Sequence, residues 1–210
     1  METASDHIFL KIKALGQGAV FTPKDFLDIA KRGMVDVTLK MLLQQGTVRR
    51  LARGLYDVPR HSALLNTELS PDIDAVAKAI ARRFRWRIVP SGAHAANLLG
   101  LSTQVPAKAV YLADGIDRTK TFTVGTRTLV FKASRPRDFG GDENSISPLV
   151  IQALRYLGKD AIDQQVIATL RTRLPLEARQ QFLADARYSS DWIHNVAKAI
   201  AQNEPEKNRG

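Results

Sequence analysis

The segment 34–59 limits the fold of this chain more than any other. Val35, Leu39, Leu42 and Leu43 recur at i, i+4, i+7 and i+8, which predicts a helix over 34–45 with one apolar face. Gly46 follows at once, the residue type that most easily takes the left-handed conformation closing a helix. Residues 47–51 and 55–59 then flank Ala52-Arg53-Gly54, two short strand-like runs around a turn, and predict a β-hairpin.

The preceding residues complete a module. Over 6–15, Ile8, Phe9, Ile12 and Leu15 fall on one helical stripe, with Ser5 or Asp6 placed to cap its start. Gly16-Gln17-Gly18 ends that helix, and Ala19-Val20-Phe21 reads as a short strand. Thr22-Pro23 opens a second helix, Thr as N-cap and Pro at the first helical position, with Phe26, Leu27 and Ala30 as its buried side. Lys31-Arg32-Gly33 makes the turn into the third. Helix, short strand, helix, tight turn, helix and basic hairpin is the order of a winged helix-turn-helix, expected over 1–59 as a DNA-binding domain.

Charge agrees with that order. The net charge of +10 suits a polyanionic partner, because each neutralised phosphate releases counterions, but it equally suits a merely soluble basic protein. Its distribution carries more weight. From Lys31 to Arg60 there are seven basic residues and two acidic ones, so this stretch favours phosphate. In the hairpin, alternation puts Arg49 and Arg50 on opposite faces, while Arg53 at the tip can reach a phosphate or the minor groove. On the third helix Asp36, Val37, Lys40, Met41 and Gln44 are the groove-facing candidates, and Lys24 joins them from the second helix. Lys40 suits guanine or phosphate, and Val37 or Met41 a thymine methyl. Asp36 either accepts from cytosine or caps its helix, and Met41 belongs either to the groove face or to the core.

Residues 60–71 read as a connector. Residues 72–203 read as a mixed α+β domain, with a tail at 204–210, and the fold class is α+β. A helix over 72–84 leads to a strand at 86–89 and, after Pro90-Ser91-Gly92, to a short Ala-rich helix ending at Leu99. Strands follow at 107–112, 121–124 and 128–132, separated by turns at Asp114-Gly115 and Gly125-Thr126. After Gly140-Gly141 come four amphipathic helices, at 147–157, 162–172, 176–186 and 191–201. A second basic cluster, Arg82, Arg83, Arg85 and Arg87, alternates with Phe84 and Trp86. It is either a nucleic-acid surface or a junction whose aromatics anchor the core. The span 118–137, with six basic residues and no acidic one, offers a further basic face; either region also suits an acidic partner protein.

Other chemistries are poorly supported. The chain has no cysteine, and His7, His61, His94 and His194 lack metal-ligand spacing, so neither metal nor cofactor is expected. No apolar run approaches the roughly 20 residues of a membrane span, and the polar N-terminus is unlike a secretory signal, which predicts a cytoplasmic protein. Ser91, His94 and Asp114 can be drawn as a triad, but Ser91 more simply caps the helix that carries His94. Gly16-Gln17-Gly18 lacks the preceding strand of a dinucleotide site, and Asp142-Glu143 reads as a loop or cap. No catalytic residue and no enzyme activity are expected.

One longer pattern remains. Residues 90–106, Pro-Ser-Gly-Ala-His-Ala-Ala-Asn-Leu-Leu-Gly-Leu-Ser-Thr-Gln-Val-Pro, precede Ala109-Val110-Tyr111-Leu112-Ala113-Asp114-Gly115. Together with the wing ending in Arg53-Gly54-Leu55-Tyr56, they give a chain that resembles the AbiEi-type antitoxins of bacterial type IV toxin–antitoxin systems over about 6–140. That resemblance implies a repressor that binds inverted repeats in its own promoter and counteracts a toxin of nucleotidyltransferase fold, with or without a stable complex; the residues alone leave open a winged-helix regulator whose second domain senses a ligand, or an RNA- or tRNA-binding protein. It supplies no catalytic motif. Physically, Leu98, Leu99 and Leu101 are expected to pack beside the sheet, with Gly100 ending the helix.

Overall fold

The computed structural model describes residues 3–135, 139 and 145–202, and the architecture is mixed α+β. The chain divides into two compact units, Met1–Trp86 together with Phe122–Leu129, and Arg87–Thr121 together with Val130–Gly210.

The first unit opens with α1, Ala4–Leu15. Its cap is Thr3, not Ser5 or Asp6: the Thr3 hydroxyl accepts from the Asp6 amide at 3.2 Å and the Asp6 carboxylate accepts from the Thr3 amide at 2.8 Å. Of the expected stripe Ile8 and Ile12 are buried, whereas Phe9 and Leu15 are exposed. Strand β1, Val20–Phe21, leads to Thr22, where Asp25 and Thr22 form a second reciprocal cap. The expected second helix closes after one turn as a 3-10 helix, Pro23–Phe26. Phe26 is buried but Leu27 is exposed, so this segment lacks the two-turn apolar face that would offset helix nucleation.

Helix α2, Arg32–Gln44, begins inside the expected Lys31-Arg32-Gly33 turn. Val35, Leu39 and Leu42 are buried, Leu43 is partly buried, and Gly46 at φ +70° ends the run. Thr38 is also buried, its hydroxyl donating to the Met34 carbonyl at 3.0 Å and lying 2.9 Å from the Ser5 hydroxyl. Strands β2, Arg49–Ala52, and β3, Leu55–Asp57, form the hairpin. With β1 they make an antiparallel sheet of order β1-β3-β2, Phe21 opposite Tyr56 and Val20 opposite Asp57. Phe21, Phe26 and Val48 close the core with the buried residues of α1 and α2. The Phe21 and Phe26 rings meet edge to face at 5.3 Å, and Phe21 stacks on Tyr56 at 6.1 Å.

The expected connector is structured. It contains a second hairpin, β4 at His61–Ser62 and β5 at Thr67–Glu68. Short polar strands of two residues carry no periodicity that a sequence reading can use. Helix α3, Ile73–Phe84, is capped by the Asp72 carboxylate, packs against β1 and belongs to the first unit, so that unit runs well past residue 59.

Strand β6, Arg87–Pro90, pairs antiparallel with β7, Lys108–Asp114, in a sheet of order β6-β7-β9-β8 completed by β8, Lys120–Val124, and β9, Arg127–Ala133. Helix α4, Ala93–Leu98, sits between β6 and β7 in sequence. Four further helices follow: α5 at Ser147–Leu157, α6 at Gln164–Arg173, α7 at Leu176–Ala186 and α8 at Asp191–Ala201. Leu154, Leu170, Phe182, Ile193 and Ile200 build their shared core, with Leu99 buried in it and Leu101 packed against it. Leu98, expected to pack, is exposed, because it ends a helix of under two turns whose buried side is His94, Ala95 and Ala96. Gly100 takes φ +66° after it. The readings made for Gly140-Gly141, Asp142-Glu143 and the 204–210 tail lie outside the described residues. Among the described residues, no helix is long and apolar enough to cross a membrane.

Candidate nucleic-acid interface

Burying Val35, Leu39 and Leu42 turns the opposite side of α2 outward. There Val37 is 66% exposed and Met41 41%, with Lys40 and Gln44 exposed beside them. Of the two placements open to Met41, the structure gives the outward one. Lys40 and Gln44 make no hydrogen bond or ion pair among the described residues, so both side chains are available to a ligand. Asp36 differs from its expectation. Arg32 Nε donates to both of its carboxylate oxygens at 2.9 Å. Because the helix starts at Arg32, residue 36 lies beyond the first-turn amides it would have to cap.

In the hairpin, alternation holds for Arg49 and Arg50, with unequal results. Arg49 lies on the face of its cross-strand partner Asp57, which is buried. Its Nε donates to Asp57 Oδ1 at 3.1 Å and its Nη2 to Oδ2 at 2.7 Å. Nη1 reaches Glu68 at 3.2 Å, and Nη2 also reaches the Leu69 carbonyl at 3.1 Å. The hydrogen bonds that Arg49 donates to Asp57 raise its pKa above the ordinary value, against the opposing effect of burial. Arg49 was a candidate DNA contact; its guanidinium is instead committed to closing the hairpin on β5. Arg50 is exposed, with only a long approach of its Nε to the Ala52 carbonyl at 3.5 Å. Arg53 stands exposed at the tip, its side chain without a hydrogen bond among the described residues, and Gly54 at φ +70° closes the turn beside it.

The remaining candidates mostly fasten α3 to its neighbours. Lys24 Nζ donates to the Arg83 carbonyl at 2.9 Å, Arg82 to the Val20 carbonyl at 3.0 Å, and Arg83 to the Arg53 carbonyl at 3.1 Å. Arg82 also lies 3.5 Å from Asp25. Arg85, in the left-handed C-cap position of α3, is exposed with no partner for its side chain among the described residues. Arg87, in the second unit, covers the Phe139 ring at 5.0 Å. Phe84 and Trp86 stack at 4.7 Å, and Phe122 lies 6.2 Å from the first and 6.4 Å from the second. The cluster of four arginines is therefore not one open basic surface.

Sequence reasoning missed three participants: Asp57 and Glu68, which hold Arg49, and the Arg83 bond to the tip of the β2–β3 hairpin. Strand pairing gives the first away once the register is known, since Arg49 and Asp57 are direct neighbours. It also missed a cavity of about 380 Å³ bordered by Leu15, Val20, Phe26, Ala75 and Lys78. The drawn triad is held by other bonds: Ser91 donates to Gln152 at 3.3 Å rather than capping α4, His94 Nε2 lies 3.1 Å from the Tyr111 hydroxyl, and Asp114 accepts from the Gly115 amide at 2.9 Å. Among the described residues, no group of His, Asp or Glu could hold a metal ion.

Comparison with known proteins adds little chemistry. The chain is similar to the crystal structure of the RV2827C protein from Mycobacterium tuberculosis, at 13% identity and a TM-score of 0.44, over 98% of this chain and 84% of that one. No curated protein matches it. A family model described as a family of unknown function, DUF6088, matches residues 7–182, and the chain belongs to that family.

Proposed function

We propose that the first unit binds duplex DNA as a winged helix-turn-helix, with α2 in the major groove and the β2–β3 hairpin as the wing. The observation that carries this reading is the outward side of α2, where Val37, Lys40, Met41 and Gln44 are exposed. Lys24, Arg49, Arg82 and Arg83, by contrast, are tied into the unit itself. A helix that leaves one row of mixed apolar and amide side chains uncommitted has what direct readout of base edges requires. Arg50 and Arg53 supply exposed guanidinium groups for phosphate at the hairpin.

The wider role follows the sequence resemblance: a repressor of its own operon that counteracts a nucleotidyltransferase-like toxin. Inverted repeats in the operator would be read by two copies of the unit, one on each half-site. The test is a gel-shift titration against the DNA upstream of its own gene and a scrambled duplex of equal length, at several salt concentrations. Preferential binding to the upstream DNA is expected. Equal, steeply salt-dependent binding to both would reduce the basic surface to phosphate attraction and overturn the reading. For the second role, coexpression with an adjacent nucleotidyltransferase-like gene should restore growth, and unrelieved toxicity would remove the antitoxin assignment.

A further inference from the structure

We infer that the outer face of α2 selects A·T-rich half-sites, reading thymine methyl groups and an adenine edge; the inference rests on the DNA-binding reading above. Three residues on that face are exposed and apolar: Met34 at 48%, Val37 at 66% and Met41 at 41%. They succeed one another at i, i+3 and i+7, one stripe down the helix, with Val37 directly opposite the buried Val35 and Leu39 side. In the major groove the one apolar feature that a base edge offers is the C5-methyl of thymine. Gln44 continues the row, about one turn beyond Met41 and two beyond Val37, and an amide matches the N6 and N7 pair of adenine with two parallel bonds.

Apart from Lys40, the groups that would read G·C pairs are missing from this face or engaged. It carries no arginine, the side chain whose fork fits guanine O6 and N7. The one carboxylate near it, Asp36, has both oxygens taken up by Arg32 Nε at 2.9 Å, which withdraws it from the cytosine amine. The same ion pair screens the carboxylate from the phosphate backbone. Lys40 remains as the single cation, at the edge of the row toward Asp36, where it serves a guanine or a phosphate.

The experiment is selection of the full chain on a random duplex pool at moderate salt, followed by thymine-to-uracil replacement in the enriched half-site. Uracil keeps every hydrogen-bonding group and removes only the methyl. Enrichment of A·T steps is expected, and each contacted methyl should weaken binding roughly threefold to fivefold when removed. Val37→Ala should abolish most of the difference between thymine and uracil duplexes while the protein stays folded, since the side chain is largely exposed. Enriched G·C half-sites, or thymine and uracil duplexes bound equally by the wild type, would overturn the inference and leave DNA binding standing. A pool that shows no enrichment at all would overturn the DNA-binding reading with it.

Discussion

Arg49 and Asp57 meet across the β2–β3 hairpin through two parallel hydrogen bonds, 2.7 and 3.1 Å, with Asp57 only 1% exposed. A carboxylate buried to that extent depends on its partner. Arg49→Ala leaves it uncompensated and should destabilise the first unit by roughly 3–5 kcal/mol. Any loss of DNA affinity in this variant should follow unfolding. Thermal unfolding followed in parallel with gel shifts checks this: weakened binding at an unchanged Tm would make Arg49 a DNA contact instead.

Arg53 gives the opposite pattern. Its side chain is exposed and without a partner among the described residues, so Arg53→Ala should leave Tm unchanged. It should weaken binding to all duplexes alike and lower the slope of log affinity against log salt by about 1, as loss of one phosphate contact does. An unaltered slope would remove the wing from the interface.

These two arginines show what the sequence could and could not say. Periodicity found α2 and its buried row, and the Gly46 and Gly54 turns fell where expected, because apolar spacing and left-handed glycines are local properties. The ends of α5, α7 and α8 were equally legible, set by proline and polar residues at their starts. Which arginine stays free was not legible. Arg49 and Arg53 look alike in the chain, and their difference depends on a register that brings Asp57 and Glu68 to one of them. For the same reason the sequence leaves the cluster around Trp86 open between a basic surface and a core junction, whereas in the structure the carbonyls of Val20 and Arg53 hold two of its arginines. The β4–β5 hairpin was illegible because two-residue polar strands leave no pattern.

Lys11 and Asp28 set a small acid dependence. Two hydrogen bonds from Lys11 Nζ, at 3.0 and 2.8 Å, hold the Asp28 carboxyl below its ordinary value of 3.8. A carboxylate lowered on folding stabilises the native state above its unfolded pKa, and the contribution is lost as pH falls through the lowered value. The wild-type stability curve should therefore drop more steeply with acid than that of Asp28→Asn, the two converging at the acid end. The difference should shrink with added salt, since the pair is exposed. Identical slopes in urea titrations across this range would show that the contact carries no stability.

Leu39 tests the orientation of α2 on which the whole interface depends. It is fully buried among Ile8, Ile12, Phe26 and Val35. Leu39→Ala should cost about 2–5 kcal/mol through lost transfer energy and the cavity left behind. Met41→Ala, on the outer side, should cost well under 1 kcal/mol. Urea unfolding of the two variants separates them, and equal losses would place the wrong side of the helix inward.

Arg83 ties the end of α3 to the β2–β3 hairpin by donating to the Arg53 carbonyl at 3.1 Å, while Lys24 holds the Arg83 carbonyl at 2.9 Å. The wing tip is otherwise a two-residue turn with Arg53 exposed, and such hairpins open at low free-energy cost. Arg83→Ala removes the side-chain bond to the Arg53 carbonyl without creating a buried charge. Amide hydrogen exchange should accelerate several-fold in the hairpin segment 50–56, with α2 unchanged. On the proposed DNA-binding reading, affinity should fall less than in Arg53→Ala, because the Arg53 guanidinium is still present and only its positioning is lost. Restoring the exchange rates with Arg83→Lys would show that a single donor suffices. Exchange that rises equally in α2 would show instead that Arg83 supports the fold of the unit as a whole, and the wing would then have no separate anchor.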